Sequence, residues 1–120
     1  FSEENALSDL YFFDNVSEES PEKLFNRFPI IRSLDAVKEI FARADNPAFS
    51  LGLGGPVRRH QLCHELIRVG GKLSSVISSQ AYIGKFGTTI GKGCCILPGA
   101  VITASVQIGE GCLINPNATM

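Results

Sequence analysis

From Ile90 to Met120 one large aliphatic residue returns at every sixth position: Ile90, Ile96, Ile102, Ile108, Ile114 and Met120. Two positions before each stands another residue, usually small: Thr88, Cys94, Ala100, Val106, Cys112 and Ala118. A helix needs apolar residues three and four apart and a lone strand needs simple alternation, so a period of six fits neither. Glycine or proline near the hexad ends (Gly91, Gly93, Pro98, Gly99, Gly109, Gly111, Pro116) cuts the run into short strands joined by sharp corners. Three such sides close one triangular coil. Coils that repeat every eighteen residues set Ile90 under Ile108, Ile96 under Ile114, Ile102 under Met120 and Ala100 under Ala118, about 4.8 Å apart. The pattern reads as a parallel β-helix whose stacked ladders are its core, each unit burying its apolar face only against its neighbours.

The first two thirds read differently. Leu10-Tyr11-Phe12-Phe13, bounded by Asp9 and by Asp14-Asn15, has the continuous apolar character of a strand in a parallel sheet, and Asn15 to Pro21 is polar loop. Phe25, Phe28, Ile30 and Ile31 supply a short apolar segment around Pro29. Ser33 caps a helix through Leu34, Val37, Ile40 and Phe41 to Arg43, with Asp35 at its positive end. After Asp45-Asn46-Pro47, a second buried strand over Ala48 to Gly52 ends in Gly52-Leu53-Gly54-Gly55-Pro56. A second helix, about Val57 to Val69, stops at Gly70-Gly71, as a glycine C-cap requires. Lys72 to Ser78 is a third strand, and Ala81-Tyr82-Ile83-Gly84 opens the first coil. Ile83 lies seven positions before Ile90, so Lys85 to Thr89 carries one extra residue that a corner absorbs as a bulge. Strands alternating with helices indicate an α/β layer. The expected fold class is α/β followed by a β-solenoid, with residues 1–77 as the first unit and 78–120 as the second.

A chain of 120 residues has room for one compact domain or two very small ones, and 44% hydrophobic with 19% charged residues is ordinary for a globular protein. A formal net charge of -1 and a pI near 6.1 give no basic field for nucleic acid and no cationic face for a membrane. No apolar run approaches transmembrane length. The four cysteines (Cys63, Cys94, Cys95, Cys112) lack the spaced pairs of a zinc site, and nothing at the N-terminus reads as a signal peptide. A reducing cytoplasm fits that usage. Cys94 and Cys112 are eighteen apart and stack; two buried free thiols are expected there, with a disulfide as the alternative if the geometry suits.

Ile90-Gly91-Lys92-Gly93-Cys94 and Ile108-Gly109-Glu110-Gly111-Cys112 resemble the hexads of the hexapeptide acyltransferases. The resemblance implies a left-handed β-helix, a homotrimer and acetyl-CoA as donor. The hand comes from the resemblance, since parallel crossovers are ordinarily right-handed. The whole layout is similar to the sialic acid O-acetyltransferase and UDP-amino-sugar N-acetyltransferase branch, in which a small Rossmann-like domain precedes the β-helix. Tyr11-Phe12-Phe13-Asp14-Asn15 looks like its second strand with an acidic end, and Gly52-Leu53-Gly54-Gly55 through Arg59 looks like its glycine-to-arginine turn. Leu73 to Ile83 resembles its crossing into the first coil, with Ser78 for a frequent His.

Three departures stand beside the match. The family's opening strand and Gly-rich turn are absent, and Gly55-Pro56 occupies a place usually held by an acidic or amide residue. The catalytic His of the family follows an Asn-x-x-Ala-x segment; Asn115-Pro116-Asn117-Ala118-Thr119-Met120 ends about two positions short of it. The expectation is therefore an incomplete chain of about two coils, inactive alone.

Acetyl transfer to an amine or hydroxyl needs a base near neutral pH and donors for the oxyanion of the tetrahedral intermediate. His60 and His64 both fall on the second helix, far along the chain from the coils, and neither reads as that base. Their i, i+4 spacing suits a shared exposed face rather than a metal, because His64-Glu65 is followed by Leu66-Ile67-Arg68 and the HExxH pattern fails. Arg58 and Arg59 beside Gly54-Gly55 fit either a phosphate or carboxylate site or a tight turn with solvated arginines; the resemblance favours Gly54 and Arg59 as substrate contacts. Asp14, at a strand end where open α/β sheets place ligands, either touches a nucleotide or terminates the strand. Asn115 either orients the catalytic group as a neighbour of the missing His or forms an asparagine corner. The expected activity is acetyl-CoA-dependent acetylation of a sialic acid or nucleotide-linked amino sugar, without a metal. The rival is a non-catalytic sugar-nucleotide-binding or oligomerisation module.

Overall fold

The computed structural model describes residues 10–15, 23–25 and 28–120; Asp9 and, apart from Asn15, the polar loop expected to Pro21 fall outside them. Strand β1 (Phe12–Phe13) pairs in parallel with β3 (Phe28–Ile31), setting Phe12 beside Ile30, while β2 (Lys23–Leu24) pairs with β3 antiparallel. The segment around Pro29 is thus the middle strand of a three-stranded sheet, where the sequence indicated only an apolar stretch. Proline conceals such a strand because it removes one ladder donor.

Helix α1 (Leu34–Arg43) begins where expected. Ser33 is extended at φ -131, and its hydroxyl oxygen accepts the Ala36 N–H at 3.2 Å. Ser33→Ala should cost about 1 kcal/mol, read as a lower thermal midpoint. Strand β4 (Ala48–Phe49) then leads to α2 (Pro56–Arg68), which starts on Pro56 behind Gly55 and closes by backbone alone. Gly70 at φ +106 donates to the Ile67 carbonyl and Gly71 to the Leu66 carbonyl, a double closure that needs a left-handed residue. Gly71 has a second constraint, since a Cβ there would come within 2.7 Å of the Phe41 and Phe49 rings. The apolar faces of both helices meet on Val37, Leu51 and Leu66.

The single strand expected over Lys72 to Ser78 is two. Strand β5 (Lys72–Leu73) pairs in parallel with β4, whereas β6 (Val76–Ile77) leaves that layer and pairs with β9 (Cys95–Ile96). The β4–β5 pair is also separate from the β1–β3–β2 sheet, so the three expected strands do not form one continuous sheet.

From β6 onward the chain visits three faces in turn. β7 (Tyr82–Ile83) lies on the second and β8 (Thr89–Ile90) on the third; β9 returns to the first. β10 (Val101–Ile102), β11 (Gln107–Ile108) and β12 (Leu113–Ile114) repeat the circuit, all in parallel. The register carries the extra residue. Ile77 pairs with Ile96 and Ile83 with Ile102, nineteen apart, whereas Ile90 pairs with Ile108 and Ile96 with Ile114, eighteen apart. The step falls in Lys85 to Thr89, where Gly87 takes φ +69 and Phe86 is turned outward. Cys94, Ile96, Ala100 and Ile102 are fully buried, with Ile108 and Ile114 above them. A bridge between Val101 and Thr119 sets Ile102 next to Met120, although Met120 itself is exposed.

Candidate functional site

Two ties fasten the α/β layer to the coil. Strand alternation turns Cys94 into the coil and Cys95 out of it. There the Cys95 thiol donates to the Leu51 carbonyl at 3.3 Å and lies 3.1 Å from the Ser50 hydroxyl. The second tie is Arg59, a guanidinium only 5% exposed. Its Nη1 donates to the carbonyls of Leu51 and Leu53, both at 2.8 Å, and its Nη2 donates to Gly111 at a coil corner, also at 2.8 Å. The side chain expected to meet substrate directly is directed inward onto backbone.

Beside this junction opens a cleft of about 1680 Å³. Asp14 and Asn15, just past β1, line it with Gly52 and Leu53 past β4, the strand ends where ligands of open α/β layers sit. Helix α2 adds Arg58, Gln61 and Glu65, and the coil adds Leu97, Leu113 and Asn115. Of the residues singled out in the sequence, the structure brings Asp14, Arg58 and Asn115 to one cavity. Gly54 and Arg59 are not on its wall. Gly54 is exposed, and a Cβ there would meet nothing within 4 Å, so no close approach demands glycine. Gln61 and Glu65 escaped the sequence reading, although their spacing from Arg58 places all three on one helix face.

Asn115 is exposed on the cleft side, and its carbonyl accepts the Ala118 N–H at 3.2 Å. The left-handed corner belongs to Asn117 instead, at φ 62 and against Gly99. His60 and His64 are exposed, bond each other through Nε2 at 3.2 Å, and are off the cleft wall. Among the described residues no three of His, Cys, Asp or Glu gather to hold a metal ion, and no helix is long and apolar enough to cross a membrane.

All four cysteines are free, and of the stacked pair Cys112 is only half-buried, which corrects the expectation of two buried thiols. Burial pushes the Cys94 thiol above its ordinary value, with charge on Cys112 and Cys95 adding, against backbone hydrogen bonds that lower it. A raised thiol pKa favours the neutral folded form. That stabilisation is complete below the ordinary thiol pKa of about 8.5 and is lost as pH rises toward the folded value. Iodoacetamide should therefore modify Cys63 and Cys112 well before Cys94, read by peptide mass mapping; equal labelling of Cys94 in the native chain contradicts the burial.

The sequence profile described as "Bacterial transferase hexapeptide (six repeats)" matches residues 87–120. Residues 87–120 are thus a hexapeptide-repeat segment. No curated protein matches the sequence of the chain. Solved structures share its fold. PerB from Caulobacter crescentus, in complex with CoA and GDP-perosamine, is similar with a TM-score of 0.71 and 20% identity, over 78% of this chain and 44% of its own. A histidine-to-asparagine mutant of the perosamine N-acetyltransferase from Caulobacter crescentus, in complex with the same two molecules, gives 0.76 and 19%, over 88% and 49%. The acetyltransferase domain of PglB from Neisseria gonorrhoeae FA1090 gives 0.67 and 21%, over 88% and 50%. At these identities the likeness is one of fold. The chain spans about half the length of those structures or less.

Proposed function

We propose that this hexapeptide-repeat chain is the substrate-side portion of an acetyl-CoA-dependent sugar acetyltransferase whose acceptor is a nucleotide-linked amino sugar. The observation that carries the reading is one cleft on which Asp14 and Asn15 from the layer, Arg58 from α2 and Asn115 from the coil converge. The shared fold with structures holding CoA and GDP-perosamine supports a nucleotide-sugar acceptor over a free sialic acid, and nitrogen over oxygen as the acylated atom. In this reading residues 1–77 are a partial Rossmann-like layer that takes the nucleotide sugar, and residues 78–120 are the first coils of a left-handed β-helix that assembles a homotrimer.

The chemistry asked of the site is attack by the sugar amine on the thioester carbonyl, transfer of the amine proton to a base, and departure of the CoA thiolate. Asp14 and Arg58 orient the acceptor by hydrogen bond and charge. Asn115 faces the same cavity and holds either the acceptor or the base in position. The exposed His60–His64 pair is off the cleft wall and is not that base, so residues 1–120 alone are expected to be inactive. The reading places the enzyme in the cytoplasm with its donor.

The test is acetyl-CoA consumption with a panel of GDP- and UDP-linked amino sugars, using both a longer enzyme that continues the coil and residues 1–120. Turnover by the longer enzyme only is expected. Turnover by residues 1–120 alone refutes the missing base, and nucleotide-sugar binding without turnover by the longer enzyme favours a non-catalytic module.

A further inference from the structure

We propose that Arg59 is a positioning residue that locks the Ser50–Gly55 turn to the Gly111 corner of the coil and so fixes the width of the cleft between them; this rests on the acetyltransferase reading only for its catalytic consequence. A buried guanidinium usually faces a carboxylate, because an unpaired charge away from water is costly. Here, among the described residues, carbonyl oxygens alone hold it: Leu51 and Leu53 at one end, Gly111 at the other, each at 2.8 Å. The three acceptors belong to two parts of the chain, since Gly111 lies 52 positions from Arg59. A planar fork of fixed donors serves acceptors on two sides at once, which a single ammonium at the end of a flexible stem does not.

The location gives the clasp its consequence. Gly52 and Leu53 line the cleft from the layer, and Leu113 and Asn115, just past Gly111, line it from the coil. Arg58 reaches the cleft from the preceding helical position while Arg59 is turned behind it. Adjacent arginines therefore divide the work: Arg58 faces the ligand and Arg59 holds layer and coil together. The other ties between turn and coil among the described residues, at Cys95, reach Ser50 and Leu51 on the layer side and do not involve the 109–113 corner. Losing Arg59 therefore frees Leu53 and Gly111 from each other while the coil ladder stays paired.

The experiment compares the native chain with Arg59→Lys and Arg59→Met by hydrogen–deuterium exchange. Both variants should exchange about tenfold faster in peptides covering residues 50–55 and 109–113, the effect of one net hydrogen bond. Peptides from the ladder between 94 and 102 should be unchanged. Unchanged exchange in both peptides, a change confined to 50–55, or loss of protection throughout the coil in the lysine variant as well would each overturn the proposal. A second readout uses the longer enzyme. There Arg59→Lys should raise KM for the nucleotide sugar about tenfold and leave KM for acetyl-CoA unchanged; equal changes in both constants contradict a positioning role. The exchange result stands whether or not that enzyme acetylates an amino sugar, so failure of the clasp and failure of the proposed function are separable.

Discussion

Ile96→Asp is expected to abolish the cooperative thermal transition of the chain. Ile96 is fully buried, belongs to the central strand of the β6–β9–β12 face, and stands in register with Ile77 on one side and Ile114 on the other. A carboxylate there either ionises without a partner or takes up a proton while still lacking hydrogen bonds, at a cost of several kcal/mol. A small domain holds only about 5–15 kcal/mol in reserve, and a two-circuit coil is at the lower end because each circuit is supported only by its neighbours. Ile96→Val removes one methyl from the same place and should cost about 1 kcal/mol. Phe86→Asp, at a side chain 84% exposed on the bulge, should change stability by less than about 0.5 kcal/mol. Circular dichroism melts of the three variants check the ordering; a native-like midpoint for Ile96→Asp would remove the ladder as the source of stability.

Gly91→Ala is the second large effect. A Cβ at Gly91 would fall 2.6 Å from the Gly109 carbonyl carbon and from the Glu110 nitrogen, which are backbone atoms of the next circuit. Neither is the end of a flexible side chain, so the two circuits must separate at that corner. Overpacking of this kind costs about 1–3 kcal/mol in a core and falls at the upper end where the clash is with backbone. Two sister glycines calibrate it. Gly111 has a positive φ of 71 and open space around it, so alanine there costs about 1 kcal/mol for conformation alone. Gly109 has neither constraint, and Gly109→Ala should be close to neutral. Denaturant midpoints should fall in the order Gly109, Gly111, Gly91; a neutral Gly91→Ala would mean that the corners are not stacked as described.

These three glycines show where sequence reading stops. In the string of residues Gly91 and Gly109 occupy the same hexad position, and only the packing of one circuit on the next separates them. The ladder itself was legible because a period of six has few physical interpretations, and the seven-residue step from Ile83 to Ile90 located the bulge that the register confirms. The start of the coil was legible in principle too, since Ile77 lies six before Ile83; it was obscured by the apolar run through Lys72 to Ser78, which also reads as one strand. In the layer, Pro29 concealed β3. At the candidate site, Asp14 was singled out by its strand-end position and Asn115 by the family resemblance, and both line the cleft. The inward placement of Arg59 was not legible, because long charged side chains default to the surface and nothing local marks the one that turns inward to carbonyls on a segment 52 positions away.

The three-sided coil, whose register steps from nineteen to eighteen at a single corner, is measured directly by interstrand NOEs from the labelled chain. Backbone contacts should pair Tyr82 with Val101 and Thr89 with Gln107, so that the offset drops by one across Lys85 to Thr89. A uniform offset of eighteen would contradict the bulge, and antiparallel or helical contacts in residues 76–119 would contradict the coil and with it the proposed acetyltransferase scaffold.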